Sequence, residues 1–158
     1  MAKTSVLFVC LGNICRSPAA EAIFIKMIED QGVGDKFIAD SAGTGSWHVG
    51  KQADSRMRFA ANKRKINITS EARQLTGDDF KKFNYILTMD NSNYINVLKF
   101  KNSKSSIGFA KVIKLQEFAD KFSEEEVPDP YFGGESGFDY VLDILEDSVS
   151  GFLKSVFN

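Results

Sequence analysis

Cys10-Leu11-Gly12-Asn13-Ile14-Cys15-Arg16-Ser17 lies between an apolar run, residues 6–9, and a segment of helical periodicity that begins with Pro18. The apolar run has the length of a buried strand, and proline is favoured in the first turn of a helix. A cysteine therefore ends a strand, and an arginine six positions later stands near a helix start. Because a tight loop and a helix N-terminus both present free N–H groups, this stretch predicts a site that binds a tetrahedral oxyanion beside a sulfur atom.

The residue types within the stretch fit such a loop. Gly12 and Asn13 are types that tolerate a positive φ, so the backbone can curl around an anion. Arg16 can give two parallel hydrogen bonds to an oxyanion, which lysine cannot do. The positive field favours the thiolate of Cys10, and the hydroxyl of Ser17 can donate to that sulfur. The alternative, a buried core cysteine and a solvated arginine, is open but accounts poorly for the combination.

Composition excludes several other classes of protein. The chain has 158 residues, is 43% hydrophobic and 26% charged, and carries a net charge of -1, which favours an ordinary globular domain with neither a nucleic-acid nor a membrane partner. Two cysteines and one histidine fall short of a zinc site and favour a reducing, cytoplasmic location. The motifs GxxxxGK[ST] and GxGxxG are absent. We therefore expect no metal and no cofactor.

Strands and helices alternate along the chain. We predict an α/β fold, one domain over residues 1–158, with a parallel sheet and helices on both faces. Cys10, Ser41 and Asp90 each stand near a predicted strand end, where ligands bind in such folds. The predicted strands lie at residues 6–9, 37–39, 85–89 and 112–115. The predicted helices lie at residues 18–31, 54–63 and 90–98 and at the C-terminus. In the first, Ser17 is the predicted N-cap and Glu21 lies outside the apolar face. A surface loop is predicted at residues 99–106.

A longer segment, VLFVCLGNICRSPAAEAIF at residues 6–24, resembles the N-terminal segment of the low-molecular-weight protein tyrosine phosphatases. The resemblance continues at residues 40–42, 72–74, 85–90 and 129–131, so it spans nearly the whole chain. It implies a four-stranded parallel sheet with the phosphate-binding loop after the first strand. It also implies a protein tyrosine phosphatase, or acid phosphatase, that hydrolyses phosphotyrosine and other aryl or acyl phosphates without a metal. Phosphate is then both product and inhibitor.

The resemblance also implies the catalytic roles. Cys10 matches the nucleophile that forms a phosphocysteine intermediate, and Arg16 matches the arginine that grips the phosphoryl oxygens. Ser17 matches the hydroxyl that supports the thiolate. Asp129 matches the general acid, which protonates the leaving phenol and then activates water. The residues implied to bind phosphate are Leu11, Gly12, Asn13, Ile14, Cys15, Arg16 and Ser17.

Supporting residues follow from the same match. Asn13 and Ser41 correspond to a hydrogen-bonded pair that holds the loop in shape, and Asp90 corresponds to a carboxylate that orients the arginine.

Aromatic residues from two loops are expected to wall a cleft for the substrate ring. They are Trp47, His48, Tyr131 and Phe132. Many eukaryotic members of the family carry a second tyrosine where this chain has Phe132, so only Tyr131 remains for phosphorylation there. We expect a monomer, in which exposed aromatic residues can pair two active-site mouths as a weak dimer.

Cys15 lies five residues from Cys10. A reactive thiolate is also the most readily oxidised thiol, and we interpret Cys15 as a partner that captures oxidised Cys10 in a disulfide. The alternative is that Cys15 fills space under the loop.

Two rival functions are open at this point. An arsenate reductase of the same fold typically uses later cysteines, and none follows Cys15. A catalytically silent phosphotyrosine-binding module is disfavoured because Cys10 and Asp129 are both present.

Overall fold

A computed structural model describes residues 2–103, 108–131, 133–134 and 136–157. Four parallel strands form one sheet in the order β2-β1-β3-β4, which confirms the predicted fold class. The strands are β1 at Thr4–Cys10, β2 at Phe37–Gly43, β3 at Tyr85–Thr88 and β4 at Lys111–Lys114.

Helices cover both faces of the sheet. The central strand β1 is buried on both sides: Val6 and Phe8 face one apolar core, and Leu7 and Val9 face the other. Helices α1 and α5 pack together on the first face, while residues of α3 and α4 fill the second core. The helices are α1 at Arg16–Asp30, α2 at Ser55–Lys63, α3 at Asp79–Lys82, α4 at Asn91–Ser103 and α5 at Ser136–Val156, with single 3-10 turns at Gly34–Lys36 and Leu115–Phe118.

Two predicted helix boundaries were wrong. Helix α1 begins at Arg16 after Cys15, and Ser17 does not cap it because the Ser17 hydroxyl is engaged by Cys10 and Asn13. Pro18 still lies in the first turn, where a missing N–H costs nothing. Helix α4 runs to Ser103, five residues beyond its predicted end.

The error in α4 has a tertiary cause. Phe100 stacks on Phe80 with ring centroids 6.2 Å apart, so packing extends the helix through residues expected to form a surface loop. The rest of that predicted loop, residues 104–106, lies outside the described residues. Strand β2 is also longer than predicted, because it pairs with β1 in continuous register as far as the pair Cys10 and Gly43.

The strand register brings the predicted site residues to one edge of the sheet. Cys10 pairs with Gly43 across the β1–β2 ladder, and Val9 pairs with Thr88 across the β1–β3 ladder. The position beside Cys10 requires glycine, because a Cβ at Gly43 would lie 2.7 Å from the Leu11 carbonyl oxygen. The loop between β1 and α1 therefore lies directly against the end of β2.

Candidate active site

Asn13 organises the loop between β1 and α1. Its backbone is left-handed, with φ of 58°, and its N–H donates to Cys10 Sγ over 3.3 Å. Its side chain accepts a bond from the Arg73 backbone N–H at Oδ1 (2.9 Å) and donates from Nδ2 to Ser17 Oγ (2.8 Å) and Ser41 Oγ (3.0 Å). Because a backbone N–H can only donate, the bond from Arg73 fixes which side-chain atom of Asn13 is the oxygen.

This orientation makes the hydroxyl oxygens of both serines acceptors. Ser17 Oγ accepts from Asn13 and lies 3.0 Å from Cys10 Sγ, to which it can donate when the sulfur is a thiolate, and 3.4 Å from the Ala42 carbonyl. A donated proton stabilises sulfur as a thiolate. Ser41 Oγ accepts from Asn13 in the same way and donates to Glu21 Oε1 over 2.6 Å. The network therefore presents donors toward Cys10.

Glu21 is a member of this network that sequence analysis placed wrongly. It lies one helical turn after Ser17 on α1 and is half-buried, with its carboxyl held against Ser41 of β2 and not on the solvent face. Burial raises the pKa of the Glu21 carboxyl to about 7, and Asp40 acts in the same direction, while the bond from Ser41 and the charge of Arg73 oppose it. Its spacing of four residues from Ser17 was the available signal, since such residues share a helix face.

Arg73 contributes to the loop through its backbone and was also missed as a site residue. Its side chain binds Asp40 Oδ2 at 3.0 Å and both carboxylate oxygens of Asp79 at 3.0 and 3.1 Å. These ion pairs hold the Arg73 peptide beside Asn13. Only the resemblance at residues 72–74 pointed to this segment.

Arg16 is 2% exposed and lies at the base of the site. Its Nη1 donates to Asp90 Oδ2 (2.7 Å) and to the Val127 carbonyl (3.0 Å), and Asp90 Oδ1 in turn accepts the Asn93 N–H (2.7 Å). Nη2 lies 3.6 Å from Asp129 Oδ2. Burial lowers the pKa of Arg16, but Cys10, Asp90 and Asp129 together outweigh that effect and raise it, which keeps the guanidinium charged.

A cavity of about 250 Å³ opens above the loop. The Asp129 carboxyl, 37% exposed, stands at its rim. The rings of His48 and Tyr131 lie 5.9 Å apart on one side, and Trp47, 69% exposed, packs over Gly45, where a Cβ would overlap the indole. The lining residues are Cys10, Leu11, Gly12, Ile14, Cys15, Arg16, Trp47, His48, Asp129 and Tyr131.

The structure thus brings most of the predicted site together. The supporting residues Asn13, Ser17, Ser41 and Asp90 lie behind the lining of the cavity. Phe132, the fourth predicted cleft residue, lies outside the described residues.

In the described part of the chain, no group of three or more His, Cys, Asp and Glu side chains is placed to hold a metal ion. Nor is any described helix long and apolar enough to cross a membrane.

A buried thiol that accepts the Asn13 N–H, an arginine at the same floor and a carboxyl at the rim are the parts of a cysteine-dependent phosphatase. The family model described as "Low molecular weight phosphotyrosine protein phosphatase" matches residues 5–158. The chain belongs to this family, and it is an enzyme of the protein tyrosine phosphatase class.

Individual relatives agree with this assignment. A putative low molecular weight protein-tyrosine-phosphatase of Synechocystis is 46% identical over 151 residues, 96% of this chain and 95% of that protein. A protein tyrosine phosphatase structure from Entamoeba histolytica has a TM-score of 0.89 and 45% identity, covering 98% of this chain and 97% of its own. The structure of a Drosophila arginine phosphatase has a TM-score of 0.91 and 32% identity, covering 97% and 98%.

Proposed function

We propose that this phosphatase hydrolyses phosphotyrosine and other aryl or acyl phosphate monoesters through a phosphocysteine intermediate, without a metal. The observation that carries the proposal is the position of Cys10 Sγ. It lies at the floor of the cavity, bonded to Ser17 Oγ and Asn13 N, with Arg16 beside it and Asp129 at the rim.

In the first step the thiolate of Cys10 attacks phosphorus, so an S–P bond forms as the bond to the leaving oxygen breaks. Arg16 and the loop N–H groups bind the nonbridging oxygens, where negative charge must be held in the transition state. The Nη1 bonds to Asp90 and Val127 hold the guanidinium so that Nη2 faces the cavity. Asp129 gives its proton to the leaving oxygen, because a phenol leaves more easily than a phenolate.

In the second step water attacks the phosphocysteine. The carboxylate of Asp129 takes a proton from this water, the S–P bond breaks, and Cys10 leaves as a thiolate stabilised by Ser17. Inorganic phosphate is released, and it fits the same loop, so it acts as a competitive inhibitor.

The cavity walls favour an aromatic substrate. Leu11, Ile14, Trp47, His48 and Tyr131 give the opening a largely apolar lining, which suits a phenyl ring. The Drosophila relative is described as an arginine phosphatase, but a cationic guanidinium is poorly matched to this lining. We therefore propose phosphotyrosine proteins or small aryl phosphates as substrates.

The two rivals remain less well supported. An arsenate reductase of this fold would need a further cysteine, and the chain has only Cys10 and Cys15. A silent phosphotyrosine-binding module would not need Asp129 at the rim of the cavity.

Hydrolysis of phenyl phosphate and phosphotyrosine, with phosphoarginine as a comparison, tests the proposal. We expect turnover of the first two in the presence of a chelator, at mildly acidic pH, and slow or no turnover of the third. Cys10→Ser is expected to abolish turnover while retaining phosphate binding by calorimetry. Absence of turnover in the wild type would reject the phosphatase activity, and a requirement for added metal would reject the mechanism.

We also propose that Cys15 protects Cys10 from irreversible oxidation. Both thiols are free and buried at the loop. Burial raises the pKa of the Cys15 thiol, and Asp54, Cys10 and Asp129 act in the same direction, so Cys15 stays protonated while the Cys10 thiolate reacts first with peroxide. Peroxide oxidises Cys10 to a sulfenic acid, and Cys15 displaces its hydroxyl as water to form the disulfide.

The location and assembly are proposals of the same kind. A catalytic thiol needs a reducing compartment, which favours the cytoplasm. A monomer is sufficient, since one chain supplies the thiol, the arginine and the carboxyl of the cavity.

A further inference from the structure

The acid, Asp129, lies between the 3-10 turn at Leu115–Phe118 and α5, in a segment whose described residues form no helix or strand. A general acid must nevertheless stand within hydrogen-bond reach of the leaving oxygen. The position of its carboxyl must therefore be set by contacts with other elements, and the structure shows such contacts on both sides of Asp129.

On the upstream side the segment is tied to the residue that follows β3. Val127 is fully buried, its N–H donates to the Met89 carbonyl over 2.8 Å, and its own carbonyl accepts Arg16 Nη1 over 3.0 Å. Pro128 and Pro130 then restrict φ on either side of Asp129. The upstream tie is thus part of the Arg16 site already described.

On the downstream side the tie is made by Arg56, which nothing in the sequence had singled out. Arg56 Nη2 donates to the Tyr131 carbonyl over 2.9 Å, and the Tyr131 N–H donates to Asp129 Oδ1 over 3.1 Å. The backbone of Tyr131 therefore links the Arg56 guanidinium to the Asp129 carboxyl. Because Oδ1 is held by Tyr131, the other oxygen, Oδ2, is the one that faces Arg16 Nη2.

Arg56 is itself held firmly. Asp54 accepts from Arg56 Nε at Oδ1 (3.1 Å) and from Nη2 at Oδ2 (2.9 Å), a two-bond fork. The guanidinium also contacts two aromatic rings, with its Cζ 4.7 Å from the centroid of Phe138 and 5.6 Å from that of Tyr131. The fork lowers the pKa of the Asp54 carboxyl, which favours the charged pair.

Asp54 connects Arg56 to the phosphate loop. Its N–H donates to the Ile14 carbonyl over 2.8 Å, and its carboxylate caps α2 by accepting the Arg56 N–H over 2.8 Å. A continuous path therefore runs from the loop that binds phosphate, through Asp54 and Arg56, to the peptide that orients Asp129.

From this path we infer that Arg56 is a positioning residue for the general acid: it sets the Asp129 carboxyl relative to the phosphate loop by holding the Tyr131 peptide. The inference rests on the proposed function, because Arg56 acts through Asp129, and the transfer of a proton from Asp129 to the leaving group is the step that the test isolates. Arg56 does not need to contact substrate.

The test compares phenyl phosphate, which needs the acid, with p-nitrophenyl phosphate, whose leaving group needs it far less. We expect Arg56→Met to lower kcat/KM, which reports the step that expels the leaving group, about tenfold for phenyl phosphate, less than the roughly 10²-fold cost of a full 1 Å misplacement, because Arg56 acts only through the Tyr131 peptide. For p-nitrophenyl phosphate we expect kcat/KM to change by about twofold or less. Arg56→Lys should recover part of the loss, since lysine supplies a donor but not the fork. Arg58→Met is the matched control, because Arg58 lies on the same helix and bonds to the Ala53 carbonyl; it should resemble wild type.

A double-mutant cycle separates positioning from general damage. In the Asp129→Ala background, Arg56→Met should cause no further loss with phenyl phosphate. Equal slowing of both substrates, or a full additional loss in that background, would overturn the inference. If Arg56→Met does not fold, Asp54→Asn takes its place, because it keeps a cap oxygen for α2 but removes the charge that holds Arg56. Equal slowing of both substrates by Asp54→Asn, or a full additional loss in the Asp129→Ala background, would again overturn the inference.

Failure of the proposed function would look different. In that case the wild type would hydrolyse neither ester, or Asp129→Ala would itself show no preference between them. Normal behaviour of wild type and Asp129→Ala, with no leaving-group effect of Arg56→Met, would reject the role of Arg56 alone.

Discussion

The phosphate loop and the acid segment are held in opposite ways. In the loop, functional side chains are buried and bond directly to one another: Asn13 and Arg16 are each 2% exposed and Ser17 is fully buried. In the acid segment, Asp129 is 37% exposed, and the contacts that fix it belong to the backbones of its neighbours Val127 and Tyr131. The phosphate loop is a network of buried side chains, whereas the Asp129 carboxyl is positioned by hydrogen bonds of the peptides on either side of it.

The difference matches the two tasks. A phosphoryl group has the same shape in every substrate, so a fixed array of donors binds it best. Leaving groups differ in size and must enter and depart, so the acid needs a defined position at an open rim. A change in the loop should therefore affect all substrates alike, and a change in the acid segment should affect them according to their leaving group.

Asp129→Ala gives the largest expected effect. We expect kcat/KM for phenyl phosphate, which reports the step that expels the phenol, to fall about 10³-fold, within the usual range for general acid catalysis. For p-nitrophenyl phosphate we expect a much smaller loss in kcat/KM, since its phenolate leaves unaided. A series of aryl phosphates measures this as a steeper dependence of kcat/KM on leaving-group pKa. An unchanged slope would contradict the role of the acid.

Asn13→Ala is the matching change in the loop. It removes the acceptor for the Arg73 N–H and the donor to both Ser17 and Ser41, so the loop loses its shape. We expect kcat/KM to fall about 10²-fold, because misplaced catalytic groups cost that much. The loss should be equal for phenyl and p-nitrophenyl phosphate. A loss confined to the poorer leaving group would break the comparison between the two regions.

Cys15→Ser gives the smallest effect on basal activity. Cys15 lines the cavity, but the mechanism assigns it no proton or bond, and we expect kcat within about twofold of wild type for so small a change. After treatment with peroxide and then a thiol reductant, the variant should recover much less activity than wild type. Full recovery of the variant would show that Cys15 has no protective role.

The predictable part of the molecule is the part that is local in sequence. The parallel sheet followed from alternating strands and helices, and the phosphate loop is eight consecutive residues with distinctive types. Glu21 was placed on the solvent face because the apolar stripe of α1 passes beside it, while its real environment is set by β2, which periodicity cannot reveal.

Contacts through backbone atoms could not be predicted from the sequence for a different reason. The Arg73 N–H and the Val127 carbonyl carry no residue-type signature, since every non-proline residue has both groups. Arg56 could not be linked to Tyr131, 75 residues away, without the packing of α2 beside the acid segment.

The buried carboxyl of Glu21 has a consequence for folding. Its pKa rises from 4.5 in an unfolded chain to about 7 in the folded one, so between these values the folded state holds more of the proton than the unfolded state. Stability then falls as pH rises through this window. The full difference, reached above pH 7, is about 3 kcal/mol. Urea unfolding at pH 5 and pH 8, for wild type and Glu21→Gln, measures most of this difference. The network that shapes the nucleophile's loop thus makes folding itself a proton-binding reaction.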